Sequence, residues 1–102
     1  AARIADERGI LYPLSVEGPL SIQKQVARSA CISREGRRVL VLELREPLNR
    51  VGCAALLDSI PWALMEDVIV VRRIPLDARQ RGKVNYPGLR RLLESHMGRY
   101  IR

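Results

Sequence analysis

Apolar and polar positions along the chain fall into short blocks. Val39-Leu40-Val41-Leu42-Glu43-Leu44 is almost unbroken in its apolar character, and Val68-Ile69-Val70-Val71 repeats the pattern inside Asp67 to Arg73. Runs of this length, rich in β-branched residues, predict strands in a sheet covered on both faces. Val26 to Ser33 predicts a further strand with Val26, Ala30 and Ile32 on one face. The turn Arg34-Glu35-Gly36-Arg37 would join it to Val39–Leu44 as a hairpin. At the start of the chain, Arg3 to Glu7 and Ile10 to Tyr12 predict two shorter strands around Arg8-Gly9, where glycine permits a positive φ.

Between these blocks the spacing turns helical. Pro13 closes the first hairpin, and Ser15 is placed to cap a helix running from Val16 to about Gln25. Glu17 would then stand in the first turn, where the helix dipole favours an acid. Gly18-Pro19 shortens that helix or restarts it, because proline is tolerated only near a helix start. Leu48, Val51, Ala55 and Leu56 give a second helix over Leu48 to Ser59, weakened by Gly52 and ended by Pro61-Trp62. Ile74 to Gly82 is a polar loop. Pro87 opens a last helix with Leu89, Leu92 and Leu93 as its buried stripe. The pattern sums to one α+β domain over residues 1–102: a small mixed sheet of about three strands, an N-terminal hairpin and about three helices.

Composition narrows the class. At 102 residues and 47% hydrophobic the chain is globular. It has no apolar run of about 18 residues and no membrane span is expected. The first residues lack the apolar core of a signal peptide. The chain begins without methionine, so it reads as a piece of a longer protein. A net charge of +7 invites a nucleic-acid reading. Nearly all of that charge is arginine, however, with Lys24 and Lys83 the only lysines. Arg3, Arg8, Arg28, Arg34, Arg37, Arg38 and Arg45 are spread over several elements and make no stripe. A small basic nucleic-acid-binding domain and a stand-alone interaction domain are the alternatives this leaves. Cys31 and Cys53 stand in apolar surroundings without zinc-site spacing, and read as buried, reduced thiols of a cytoplasmic protein.

The stretch richest in chemistry runs from Ile74 to Leu89. It leaves a strand, crosses a loop containing Pro75, Asp77, Arg79 and Arg81, and reaches Gly82-Lys83 just before a helix. Glycine allows a tight turn there, and lysine offers a mobile charge with three donors, suited to anionic oxygens. Taken alone the spacing favours a solvated surface lysine, since the rest of a phosphate-loop signature is missing. Arg79 and Arg81 would meet phosphate oxygens or simply face solvent. Glu17 reads first as a helix-start acid, Tyr12 and Trp62 as packing residues, and Arg90-Arg91 as exposed decoration of the last helix. His96 has no partner nearby in sequence and is assigned neither catalysis nor a metal.

Three segments, in order, resemble the C-terminal domain of the adenylate-forming superfamily of acyl-CoA synthetases, peptide-synthetase adenylation domains and luciferases. They are Gly9-Ile10-Leu11-Tyr12-Pro13 followed by Ser15-Val16-Glu17, then Val26 to Ile32, then Pro75, Gly82, Lys83 and Leu89. The resemblance covers nearly the whole chain. It departs in Ser15, where the family has a glutamate, and in a Pro75-to-Lys83 loop two residues longer than usual. The Pro-x-Asp-x-Arg order of that loop is similar to the β-lactone synthetases of olefin biosynthesis and related fatty-acid-activating ligases. The resemblance implies the C-terminal lid domain of a larger ATP-dependent ligase, whose own N-terminal adenylation domain is its partner. It implies a carboxylic acid substrate, ATP and magnesium bound mainly by that partner, and coenzyme A as a candidate acceptor. It further implies that Lys83 is catalytic in adenylation, with Gly82, Arg79, Gly9 and Tyr12 as loop and hinge-region candidates.

Overall fold

The computed structural model describes residues 3–80, 83–95 and 99–100. Strands β1 (Ile4–Asp6) and β2 (Gly9–Leu11) form an antiparallel hairpin with Asp6 opposite Gly9. Gly9 has φ 109°, a conformation that L side chains rarely adopt. Helix α1 (Pro13–Ser21) follows, then the longer antiparallel hairpin of β3 (Val26–Arg34) and β4 (Arg37–Leu44). Its two turn residues, Glu35 and Gly36, both have positive φ, 53° and 76°, which suits the right-handed twist of the flanking strands. Helix α2 (Arg50–Asp58) and a single 3-10 turn at Pro61–Ala63 cross over to β5 (Asp67–Val71), which lies parallel to β4. After a loop come α3 (Tyr86–Glu94) and the short β6 (Arg99–Tyr100), antiparallel to β5.

The sheet order is β3-β4-β5-β6, so the expected α+β architecture with its separate hairpin holds. Strand β6 is an addition that two residues are too short to announce by pattern. Among the described residues no helix is long and apolar enough to cross a membrane.

Both faces of the sheet are covered, as the unbroken apolar runs require. On one face Leu40, Leu42 and Val68 pack with Val16 and Leu20 of α1, Leu56 and Leu57 of α2, and Ile4 and Leu11 of the hairpin. On the other, Val39, Val41, Ile69 and Val71 pack with Leu89 and Leu93 of α3 and with Ile74. Burial of Leu89 and Leu93 contributes about 2 kcal/mol each, while Leu92 is only partly covered. Cys31 and Cys53 are free, buried thiols in the first of these layers.

Two local expectations are corrected. Val26 does not share a face with Ala30 and Ile32: it packs in the first layer and they pack in the second. The strand register slips between Val26 and Arg28, and one extra residue reverses the alternation of side chains. Helix α1 starts three residues earlier than Val16 and ends at Ser21, short of Gln25. Tyr12, in extended backbone, is its N-cap, and Pro13 opens the helix instead of closing the hairpin. Ser15 therefore lies within the first turn, its N–H donating to the Tyr12 carbonyl at 2.9 Å. Glu17 falls mid-helix, outside the reach of the N-terminal dipole.

Arg38 is also unlike its sequence reading as one of several scattered charges. On β4 it shares the parity of Leu40 and Leu42, so its side chain enters the first layer, where it is 2% exposed. Its Nε and Nη2 donate to the two carboxylate oxygens of Asp6, each at 2.9 Å. Nη2 also donates to the Gly9 carbonyl at 3.1 Å, and Nη1 to the Ala63 carbonyl at 2.7 Å. One guanidinium thus ties the N-terminal hairpin and the 3-10 turn to the central sheet. Arg8 reaches Asp6 and Glu66, and Arg37 grips Asp67 with both Nε and Nη2 at 2.7 and 3.0 Å.

Arg38→Leu should destabilise the domain by about 3 kcal/mol, because the Asp6 carboxylate and two carbonyls lose their donor. Denaturant unfolding followed by circular dichroism would measure it. The Arg38 hydrogen bonds hold the Asp6 carboxyl below its ordinary value of 3.8, against an opposing desolvation. Stability from this pair is therefore complete above pH 3.8 and is lost as pH falls through the depressed value. Arg38→Leu should remove that acid-dependent component.

Candidate functional site

The segment that follows β5 is held at several points. Where it leaves the strand, the Ile74 N–H donates to Glu43 Oε1 at 2.7 Å, and the other Glu43 oxygen pairs with Arg28 at 3.3 Å. Leu76 and Val84 then form an antiparallel bridge, and the Asn85 N–H donates to the Pro75 carbonyl at 2.9 Å. Between those limbs, the Asp77 N–H donates to the Lys83 carbonyl at 2.8 Å and the Lys83 N–H to the Gln80 carbonyl at 3.1 Å. Asp77 Oδ1 accepts from the Arg79 N–H at 2.8 Å, the local turn that aspartate commonly makes.

Lys83 is consequently fixed through its backbone while its side chain is exposed, with no hydrogen-bond or ion-pair partner among the described residues. Arg79 is exposed on the same loop. Gly82 and Arg81 lie outside the described residues, as does His96. Beyond the loop, Asn85 caps α3 by accepting from the Gly88 N–H at 3.0 Å, with Pro87 in the first turn. A Cβ at Gly88 would meet Asn85 at 3.0 Å and Pro75 at 3.3 Å, so a larger residue would require these side chains to give slightly. Arg90 and Arg91 are exposed, as the helical pattern implied, and Arg90 also donates to the Ser33 carbonyl at 3.0 Å.

The sequence candidates divide into two groups. The Lys83 loop leads into α3, and Val84 and Tyr86 pack in the second layer. Gly9 and Tyr12 belong to the hairpin, whose Ile4 and Leu11 pack in the first. Among the described residues no hydrogen bond or ion pair joins Gly9 or Tyr12 to the loop. Tyr12 and Trp62 were expected to pack, yet both stay about half exposed, at 52% and 51%. Tyr12 is set at a helix start and Trp62 in a one-turn 3-10 helix, so neither has a neighbouring element to cover it. Ile10 on β2 and Leu64 after the 3-10 turn are exposed as well.

A second feature escaped sequence reading. An open cleft of about 210 Å³ lies where α1, the outer strand β3 and the Lys83 loop meet. It is lined by Glu17, Ser21, Val26 to Ser29, and Val84. Glu17 is half-buried, and desolvation raises its carboxyl above the ordinary value of 4.5, against an opposing hydrogen bond from Tyr86. The Tyr86 Oη donates to Glu17 Oε1 at 3.4 Å. The Tyr86 phenol is itself raised, first by burial and then by the charge of Glu17. Burial likewise pushes the Cys31 thiol up and keeps it protonated. Glu17 and Tyr86 are 69 positions apart, so no spacing rule could have paired them. Among the described residues no three His, Cys, Asp or Glu side chains group to hold a metal.

This architecture matches known structures. O-succinylbenzoate coenzyme A synthetase MenE from Bacillus subtilis, in complex with AMP, superposes with a TM-score of 0.68 at 22% identity over 91% of this chain. A double mutant of that synthetase bound to a product analogue matches all of the chain, at a TM-score of 0.68 and 20% identity. A lysine-to-alanine mutant of amide bond synthetase McbA from Marinactinospora thermotolerans gives 0.70 at 18% identity over 88%. The fold is that of a small domain of adenylate-forming ligases. The chain spans about a fifth of each of these proteins, at 19%, 21% and 20% of their lengths. No protein-family profile matches the chain, and no curated protein sequence does.

Asn85→Ala should cost about 1 kcal/mol by leaving the first turn of α3 without its cap. The loss should appear in thermal unfolding, whereas Asn85→Asp, which retains an accepting oxygen, should restore most of it.

Proposed function

We propose that residues 1–102 are the lid domain of a larger ATP-dependent ligase that activates a carboxylic acid as its acyl-adenylate. Lys83 is the catalytic lysine of that step. What supports the reading is the presentation of Lys83: a backbone fixed by two hydrogen bonds, an exposed side chain, and a loop set on the fold that adenylate-forming ligases use. The segments Gly9–Pro13, Val26–Ile32 and Pro75–Leu89 resemble that family in the same order.

Adenylation brings a carboxylate onto the α-phosphorus of ATP. Two anions approach, so the barrier is largely electrostatic and positional. A lysine between them offsets the repulsion and stabilises charge on the reacting oxygens. The nucleotide, magnesium and acid would be bound by an N-terminal adenylation domain, with which this chain would close and reopen as a lid. Alone, the chain is expected to be inactive. Arg79, on the same loop, would meet phosphate oxygens, and the Arg8-Gly9 turn would face the site in a second orientation. The acyl group would then pass to coenzyme A or close on the substrate's own β-hydroxyl as a lactone. No nucleic-acid role is expected.

In the full-length enzyme, Lys83→Ala should slow pyrophosphate release roughly 100- to 1,000-fold, the usual effect of removing one charge-stabilising donor. The loss should fall on kcat more than on ATP affinity. Lys24→Ala, at an exposed position outside the loop segment, is the control. Release within a few-fold of wild type would return Lys83 to an ordinary surface residue.

The long loop with Asp77 and Arg79 resembles the β-lactone-forming subgroup. The full enzyme should accordingly consume ATP and a long-chain β-hydroxy acid without coenzyme A. Mass spectrometry of the products would check this, and a strict coenzyme A requirement would place the enzyme among the acyl-CoA ligases.

A further inference from the structure

We propose that Glu17 and Tyr86 are positioning residues for Lys83, because the Tyr86 phenol hooks over the free edge of β3 to bond Glu17 and so pins the closing limb of the Lys83 loop. The catalytic consequence rests on the function proposed for Lys83; the clasp itself does not.

Three observations converge on it. Strand β3 ends the sheet, and α1 and α3 lie on its opposite faces. Tyr86 is the first residue of α3, three positions after Lys83, and packs with the second layer. Its Oη nonetheless meets a carboxylate of α1, on the first-layer side, at 3.4 Å. The contact therefore spans the edge strand β3, and one side chain joins α3 to α1.

The loop's other anchors do not duplicate it. Glu43 fixes the departing limb at Ile74, the Leu76–Val84 bridge holds the limbs to each other, and Val84 and Arg90 hold the returning limb to the sheet; none of these ties it to α1. Tyr86 fastens that limb, and Val84 lines the cleft beside Glu17. Among the described residues the Tyr86 phenol is the group bonded to Glu17, and Arg28 of β3, which lines the same cleft, is already paired to Glu43 at 3.3 Å. Half-buried beside a phenol, a carboxylate has a strong reason to keep this donor.

Amide hydrogen exchange on the 102-residue chain tests the clasp. Tyr86→Phe keeps the ring and removes only the hydroxyl. It should accelerate exchange at the Lys83 and Asn85 amides roughly fivefold, the effect of one ordinary hydrogen bond. The Leu40 and Val41 amides in the central strand should be unchanged. Glu17→Leu should reproduce the effect, and Glu17→Gln, which keeps an accepting oxygen, should largely restore protection. Unchanged exchange at Lys83 and Asn85 would overturn the proposal, as would equal acceleration in β4, which would mean general destabilisation. In the full-length enzyme, Glu17→Leu should lower kcat about fivefold with KM for ATP unaltered, and Glu17→Gln should recover it. If Lys83→Ala leaves adenylation intact while Tyr86→Phe still frees the loop, the function proposed for Lys83 falls and the clasp stands.

Discussion

The fold depends on one buried guanidinium. Arg38 projects from the central strand β4 into the layer that also holds α1 and α2, and there it satisfies Asp6, Gly9 and Ala63 together. The hairpin β1–β2 is short and could not persist alone. The 3-10 turn at Pro61–Ala63 is shorter still. Both are held because a charge taken out of water must be paired and hydrogen-bonded on every side, which leaves each partner a single allowed place. Arginine suits the task better than lysine, since its planar fork grips a carboxylate with two parallel bonds and has donors left for carbonyls.

From that fixed sheet the candidate site follows by a chain of constraints. Strand β5 is locked parallel to β4, so the polypeptide leaves the sheet at a defined end, and Glu43 on β4 receives the first loop amide. The loop closes on itself through Leu76 and Val84. Asn85 then turns it into α3, whose leucines are buried in the second layer. Lys83 is held by its neighbours' backbone and leaves its charged end in water. Such a group is free to serve a partner surface or an anionic ligand, and the fold it stands on is shared with adenylate-forming ligases.

Much of the architecture was legible because strong patterns leave little choice. The apolar blocks at Val39–Leu44 and Val68–Val71 specify covered strands whatever surrounds them, and the leucine stripe of α3 specifies a buried helix face. The turn at Glu35-Gly36 was legible for the same local reason. The helix start at Pro13 was misread because Ser15 is an attractive cap in isolation. The prolines decide otherwise, since the extended Tyr12 and the fixed φ of Pro13 already commit the backbone to a helix. Val26 was misplaced because a bulge shifts side-chain parity without altering composition.

The sequence by itself determined the strands β1 to β5, the helices α2 and α3, the hairpin turns and the Gly82-Lys83 pair ahead of the last helix, all of which are encoded within a few neighbouring residues. Only the tertiary structure decided that Arg38 is an internal tie, that Tyr12 and Trp62 stay exposed, and that Glu17 meets Tyr86 across the edge of β3. The two ties depend on residues 25 to 69 positions apart, brought together only when both faces of the sheet are covered. Burial then fixes which charges must find partners, and no local pattern carries that information.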